Sequence, residues 1–219
     1  MSFLPRLAFP LVLVGTLASA AEPKSPPPEK HARGVITALE GSTLRIRSSD
    51  GQVLSLAVTG ETRVSIATRA DLADIGQGGY VGTTALPQAD GSLRAVEVHL
   101  FPEAMRGVGE GHRPWDLEAG STMTNATVSS VAGAKSSMTN ATVKGEAMTK
   151  AGLKLELTYP TGEQTVIVPP GTPVVKLSPS DLAHLVPGAH LFAAYAEQPD
   201  GTLRALRVVV GAEGVRPPM

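Results

Sequence analysis

The sequence predicts a mainly β protein built as two tandem OB-like five-stranded barrels, each with one short helix, behind a cleavable signal peptide. Three observations predict it. Short alternating apolar runs are punctuated by Gly- and Asp-containing turns, as half-buried strands require. The same order of runs and turns recurs 110 residues later, from Asp71-Leu72 to Asp181-Leu182 and from Asp90-Gly91 to Asp200-Gly201. The chain also opens with one positive charge, Arg6, an apolar run from Leu7 to Leu17, and Ala18-Ser19-Ala20 before Ala21.

That opening has the parts of a secretory signal over residues 1–20, too short and too broken by Pro10 to be a stable membrane span. Residues 21–33 are proline-rich and charged, which predicts an extended tether that includes His31. The first barrel is assigned to residues 34–100. Its strands are read at Val35 to Leu39, around Leu44 and Ile46, and at Val53, Leu54, Leu56 and Val58, with turns at Glu40-Gly41 and Asp50-Gly51. A short helix follows Val64 to Ile66, with Thr68 as N-cap, Asp71 in the first turn, and Leu72 and Ile75 facing inward. Gly78-Gly79 ends it, and two strands, Tyr80 to Leu86 and Leu93 to Leu100, turn at Asp90-Gly91.

The second barrel is assigned to residues 136–211. Val58 meets Val168, Thr62 meets Thr172, Gly78 meets Gly188, and Leu93-Arg94-Ala95 meets Leu203-Arg204-Ala205. Ser178 takes the place of Thr68 as N-cap, with Pro179 at the first helical position. Leu44 and Ile46 match Leu153 and Leu155 with a slip of one residue. Three strands, a helix and two strands is the element order of an OB-type barrel. Residues 212–219 read as a C-terminal tail.

Residues 101–135 form the connector, carrying FPEAMRGVGEGHRPWDL and a first copy of MTNATV. STMTNATV at Ser121 to Val128 returns as SSMTNATV at Ser136 to Val143, and either copy can supply the first strand of the second barrel. Together with VTGET, VPPGTPVV and the closing PPM, these motifs resemble an uncharacterised family of exported bacterial proteins with OB-like domains. Some members carry the label metal ABC transporter permease. The resemblance covers nearly the whole chain after the signal, and it implies an envelope protein with a possible link to metal transport. A permease needs several membrane-spanning helices, for which this sequence has no candidates.

Composition narrows the function. Lys plus Arg number 19 against 20 Asp plus Glu, and aromatics make up 4% of the chain, so a basic groove with stacking platforms for nucleic acid is not expected. There is no cysteine, which excludes disulfides and a lipidated cysteine. No nucleophile, base and orienting carboxylate fall into a recognisable motif, so no catalytic residue is assigned and the protein is expected not to be an enzyme. The Gly107, Gly109, Gly111 series leads to Pro114 instead of a helix N-terminus and is no phosphate loop. His99 is expected to face solvent, because it alternates out of phase with Val98 and Leu100.

The connector's Arg106, Glu110, His112, Arg113, Trp115 and Asp116 are the candidate partner- or ligand-binding residues. A plainer reading packs Trp115 into the barrel interface and pairs the charges locally. A sharper one makes His112, with Met105 or Glu110, a metal site, since thioether and imidazole suit soft metals. The expected function is a non-enzymatic periplasmic or secreted accessory module whose partner is an envelope protein. The alternative is a metal-binding or metal-delivery protein centred on His112, and the sequence specifies no cofactor.

Overall fold

The computed structural model describes residues 28–132, 152–217 and 219, and within them the protein is mainly β. The expected signal segment, most of the expected tether and the second MTNATV copy lie outside the described residues. Among the described residues no helix is long and apolar enough to cross a membrane.

Two meanders of three strands carry the repeat. The first is β1 (Lys30–Glu40), β2 (Thr43–Ser48) and β3 (Val53–Ala57). Each meander is followed by a crossing strand and a hairpin, which in the first half are β4 (Arg63–Ala70), then β5 (Tyr80–Pro87) with β6 (Leu93–Phe101). A short β7 (Gly111–Pro114) in the connector precedes the second meander, β8 (Thr122–Ala132), β9 (Leu153–Tyr159) and β10 (Gly162–Val168). The second crossing strand is β11 (Val174–Ser180), and the last hairpin is β12 (His190–Glu197) with β13 (Leu203–Gly211).

The strands do not close within their own halves. β8, β9 and β10 pair with β5 and β6 from the first half, and β10 meets β6 in parallel at Val166–Leu93, closing a five-stranded barrel. The meander β1 to β3 is completed by β12 and β13 from the second half, where β3 and β13 meet at the single pair Ala57–Arg204. Sequence reading assigned one barrel to residues 34–100 and another to 136–211. The hairpins are instead exchanged, so each five-strand set takes three strands from one half and two from the other. The repeated halves present equivalent edges, so the exchange substitutes one set of ladder bonds for another at little cost.

Alternation decides the two cores. In β2, Leu44 and Ile46 point inward while Arg45 and Arg47 point out, and they join Leu56, Leu191, Ala193 and Val208 in one buried cluster. The other barrel encloses Val81, Ala85, Val98, Ala126, Leu155, Leu157 and Val166. Fully burying each large aliphatic side chain contributes roughly 1.5–3 kcal/mol, and this aliphatic set carries the stability that disulfides cannot. The hairpins even share a defect: β6 carries the extra residue Val96 opposite Thr84/Ala85 and β13 the extra residue Leu206 opposite Ala194/Tyr195, the equivalent position.

β4 and β11 join the two sets. They pair antiparallel, with Ala67 opposite Leu177, two residues that are themselves equivalent in the repeat, so a local dyad passes through that pair. β4 runs parallel to β13 and β11 parallel to β6, which repeats the relation on either side of the dyad. Ala67, Val175, Leu177, Phe192, Ala194, Val209 and Met219 form a third core along this seam, against which Phe101, Trp115 and Val215 pack.

Several expectations change here. The short helices are three-residue 3-10 turns, Leu72–Asp74 and Leu182–His184, capped by Asp71 and Asp181. Thr68 and Ser178, expected as N-caps, lie inside β4 and β11, because the crossing strands run on through them to reach the dyad. Pro179 sits in the same strand opposite Ser65. β1 begins at Lys30, so the end of the expected tether, with His31 and Arg33, is a strand paired to β12. The first MTNATV copy is part of β8 and a barrel strand, not connector. The expected tail turns back onto the seam: Met219 is buried, and Arg33 Nε donates to its carbonyl.

The exchange is testable because the chain has no cysteine of its own. Lys30 and Tyr195 are register partners across β1 and β12. The double variant Lys30→Cys, Tyr195→Cys is expected to oxidise to an intramolecular disulfide, read as a two-dalton loss and a mobility shift on a non-reducing gel. Failure to cross-link in the folded protein would contradict the exchanged pairing.

Candidate functional site

The outer face of the closed barrel is where the sequence departs from apolar patterning. Register places His99, Gly82 and Asn125 side by side on β6, β5 and β8, with Glu97, Thr84 and Met123 as the next row and Phe101, Tyr80 and Thr127 beyond. Val98 and Val81, half a period away, point into the barrel core. His99 and Glu97 are nearly inaccessible, at 1% and 3% exposure. His99 was expected to face solvent, but both faces of β6 are covered, one by the core and the other by the seam.

This face holds a connected polar row. Thr84 Oγ1 donates to Glu97 Oε1 at 2.6 Å, and Met123 Sδ lies 4.0 Å from the same hydroxyl. His99 Nε2 is 3.3 Å from Glu97 Oε1, without the alignment of a full hydrogen bond. Gly82 makes the approach of His99 and Asn125 possible, since a Cβ there would lie 2.7 Å from Asn125 Oδ1 and 3.2 Å from His99 Nδ1.

The connector covers the row. Pro102 leads into a 3-10 turn, Glu103–Met105, and Gly107, Gly109 and Gly111 all adopt positive φ, which folds the segment tightly back. Arg106 clamps it down: its guanidinium donates to both Glu103 carboxylate oxygens at 2.6 and 2.7 Å, to Thr127 Oγ1 at 3.1 Å and to the Gly78 carbonyl at 2.9 Å. The Val108 carbonyl accepts from Asn125 Nδ2 and from the Tyr80 hydroxyl, both at 3.2 Å. Burial, aided by the nearby Glu110 carboxylate, pushes the Tyr80 phenol up to about 12. Tyr80 is therefore a neutral donor at any working pH.

Between this face, the connector and the seam core lies an inner chamber of about 30 Å³. Met105, Met123, Met219, His99, Asn125 and Trp115 are among its walls, and Arg113 and Arg207 stand at its edge. His99 Nε2, Asn125 Oδ1, Trp115 Nε1 and Arg207 Nε are buried atoms with no hydrogen-bond partner among the described residues. Four such atoms around one small chamber point to an occupant, because an unmatched buried polar group costs about 1–3 kcal/mol.

Arg113, Trp115 and Arg207 also line an open vestibule of about 740 Å³, whose other walls include Glu29, His31, Glu110 and Asp116. Trp115 thus divides the chamber from solvent. Its ring lies 4.4 Å from His31 and 6.1 Å from Phe192, and Arg113 stacks over it at 5.5 Å. Arg113 Nη1 donates to the Gly109 carbonyl at 2.8 Å, and Arg207 Nη2 to Glu29 Oε1 at 3.3 Å. Burial lowers the pKa of both arginines, with Glu29 opposing the effect.

On the vestibule rim, Asp116 accepts from Arg33 Nη2 at 2.7 Å and lies 2.9 Å from His31 Nδ1. Burial raises the Asp116 pKa, but these two hydrogen bonds outweigh it and hold the carboxyl below its ordinary value. Glu29 is lowered chiefly by its hydrogen bond with His31.

The sequence-predicted residues are therefore divided. Glu110, Arg113, Trp115 and Asp116 meet at the vestibule. Arg106 is a structural clamp. His112 alternates to the other face of β7 from Arg113, where its Nδ1 lies 2.8 Å from Thr124 Oγ1 and its ring 6.5 Å from that of Tyr159. Met105 lines the chamber and His112 does not, so the two do not share that site. Among the described residues no group of three or more His, Asp or Glu gathers as a metal cage. Sequence reasoning missed Glu97, His99, Arg207 and Met219. The available signal was asymmetry between the copies: at the repeat offset Glu97 matches Arg207 and His99 matches Val209, so a carboxylate and an imidazole stand where the other copy has an arginine and a valine.

Comparison with protein-family models, with curated proteins and with solved structures finds no match to this chain.

Two measurements check this geometry. Gly82→Ala is expected to force apart His99 and Asn125, costing about 1–3 kcal/mol in urea unfolding; an unchanged midpoint would show that the row is loosely packed. Glu29 and Asp116 have folded pKa values below their unfolded ones, so their contribution is present above the ordinary carboxylate range and is lost as pH falls through the lowered folded values. Asp116→Asn should therefore flatten the loss of stability below about pH 4, read from thermal midpoints against pH.

Proposed function

We propose that the protein is a non-enzymatic binding module of the cell envelope, exported by its N-terminal segment to the periplasm, in which both five-strand sets are OB-like barrels. Its working part is the seam cleft, where the vestibule admits a ligand and the chamber holds it. The observation that carries this reading is the convergence of four unpartnered buried polar atoms on one chamber behind Trp115. Pockets of this kind, mostly apolar with a few aimed polar groups, suit binding. A hydrolytic reading lacks a nucleophile activated by a base: among the described residues Ser65 is the one hydroxyl-bearing wall of the chamber, and no hydrogen bond joins it to His99.

As an accessory module, the protein would present the loaded cleft to an envelope partner through Glu110, Arg113 and Asp116, which stand at the vestibule. Native mass spectrometry of protein extracted gently from its own host is the test. The expected result is a bound mass or a co-purifying envelope protein that is lost in the double variant Arg113→Ala, Trp115→Phe, whose β circular dichroism stays unchanged. Bare protein from the host, or retention of the bound species in the double variant, would overturn the assignment.

A further inference from the structure

Three methionines lie among the described residues, Met105, Met123 and Met219, and all three line the inner chamber. They arrive from separate places: the connector turn, the barrel strand β8 and the segment that returns to the seam after β13. His99 stands with them on β6, and the Trp115 ring forms a wall. Methionine commonly fills gaps in a core, and one such residue would carry no inference. Three thioethers around a volume of about 30 Å³, beside an inaccessible imidazole and an indole, make a donor set of one chemical kind.

We infer that the inner chamber is a binding site for a soft monovalent cation, the cuprous ion, with the thioethers of Met105, Met123 and Met219 and a ring nitrogen of His99 as its ligands. This deepens, and rests on, the reading of the cleft as a ligand site. Thioether and imidazole donors select Cu(I) over hard divalent cations, which want the carboxylate cages that the described residues do not form. Glu97, 3.3 Å from His99 Nε2, supplies the carboxylate that characteristically orients a metal-binding histidine through its second nitrogen, while Nδ1 sits over Gly82. Thr84 donates to that carboxylate and fixes it in turn. Trp115 adds an aromatic face, which attracts a weakly hydrated cation.

The competing occupant is a small oxyanion drawn to Arg113 and Arg207. Arg113 Nη1 is already given to the Gly109 carbonyl and Arg207 Nη2 to Glu29, which leaves Arg207 Nε, whereas among the described residues the Met105 and Met219 thioethers accept no hydrogen bond. The site needs no redox step, since the ion enters and leaves in one oxidation state.

The test is an anaerobic titration of the full mature protein with Ag(I), a redox-inert stand-in, followed by the carbon-13 methyl signals of its methionines, and with Cu(I) against a chromogenic chelator. One equivalent is expected to bind and to shift three methyl signals. Met105→Leu and Met123→Leu, which keep the core volume, should each weaken binding by at least about ten-fold, and Glu97→Gln by about 10- to 100-fold. Unshifted methyl signals, affinity unchanged in the leucine variants, or saturable displacement of the ion by phosphate would each overturn the cuprous site. Should Ag(I) fail while protein from the host carries a different ligand in the cleft, the metal assignment falls and the binding module stands. Bare protein in both experiments removes both.

Discussion

The antiparallel pairing of β4 with β11 across Ala67 and Leu177 is the constraint on which the rest depends. Each crossing strand also lies parallel to a strand of a hairpin, β4 to β13 and β11 to β6, so one central pair ties together both five-strand sets. Because β4 is followed by β5 and β11 by β12, the central pair sends each hairpin to the meander of the other half. The small side chain of Ala67 and the larger one of Leu177 fill the dyad together, and neither is accessible to solvent. A seam core of Phe192, Val209 and Met219 then grows on this pair.

The seam creates a surface that neither half presents alone. The closed barrel turns toward it a face with Glu97, His99, Thr84 and Asn125, all buried. Taking an ionisable pair out of water costs several kcal/mol per ion unless hydrogen bonds replace hydration, so such a face is expensive to cover with protein. Arg106 and the Val108 carbonyl hold the connector over it nonetheless. That expense, concentrated at one chamber to which the other set adds the buried Nε of Arg207, is the physical argument for a ligand there.

The vestibule and chamber also divide their chemistry. Outside, Glu29, Asp116, His31, Arg33 and Arg207 form a network that neutralises itself and leaves the carboxylates charged to low pH. Inside, the walls are apolar and thioether with few polar atoms. Trp115 stands between, held by the short loop in which Ser121 Oγ donates to the Trp115 and Glu118 carbonyls.

Most strand positions, the turns and the 110-residue repeat were legible in the sequence, because alternation and turn chemistry act over a few residues. Arg113, Trp115, Glu110 and Asp116 could be picked out in the same way, by unusual composition in a glycine-rich segment. The partner of each hairpin was not legible: the repeated halves carry the same apolar alternation, so β5–β6 and β12–β13 satisfy either meander, and only the dyad between β4 and β11 chooses. For the same reason His99 read as a surface residue, since alternation reports two faces of a strand without saying what covers the second. By itself the sequence determined the central residues of most strands and which of their faces are apolar. Tertiary structure decided which strands meet, and so brought His99 and Met105, at the end of β6 and just after it, together with Met123 and Met219 around one chamber.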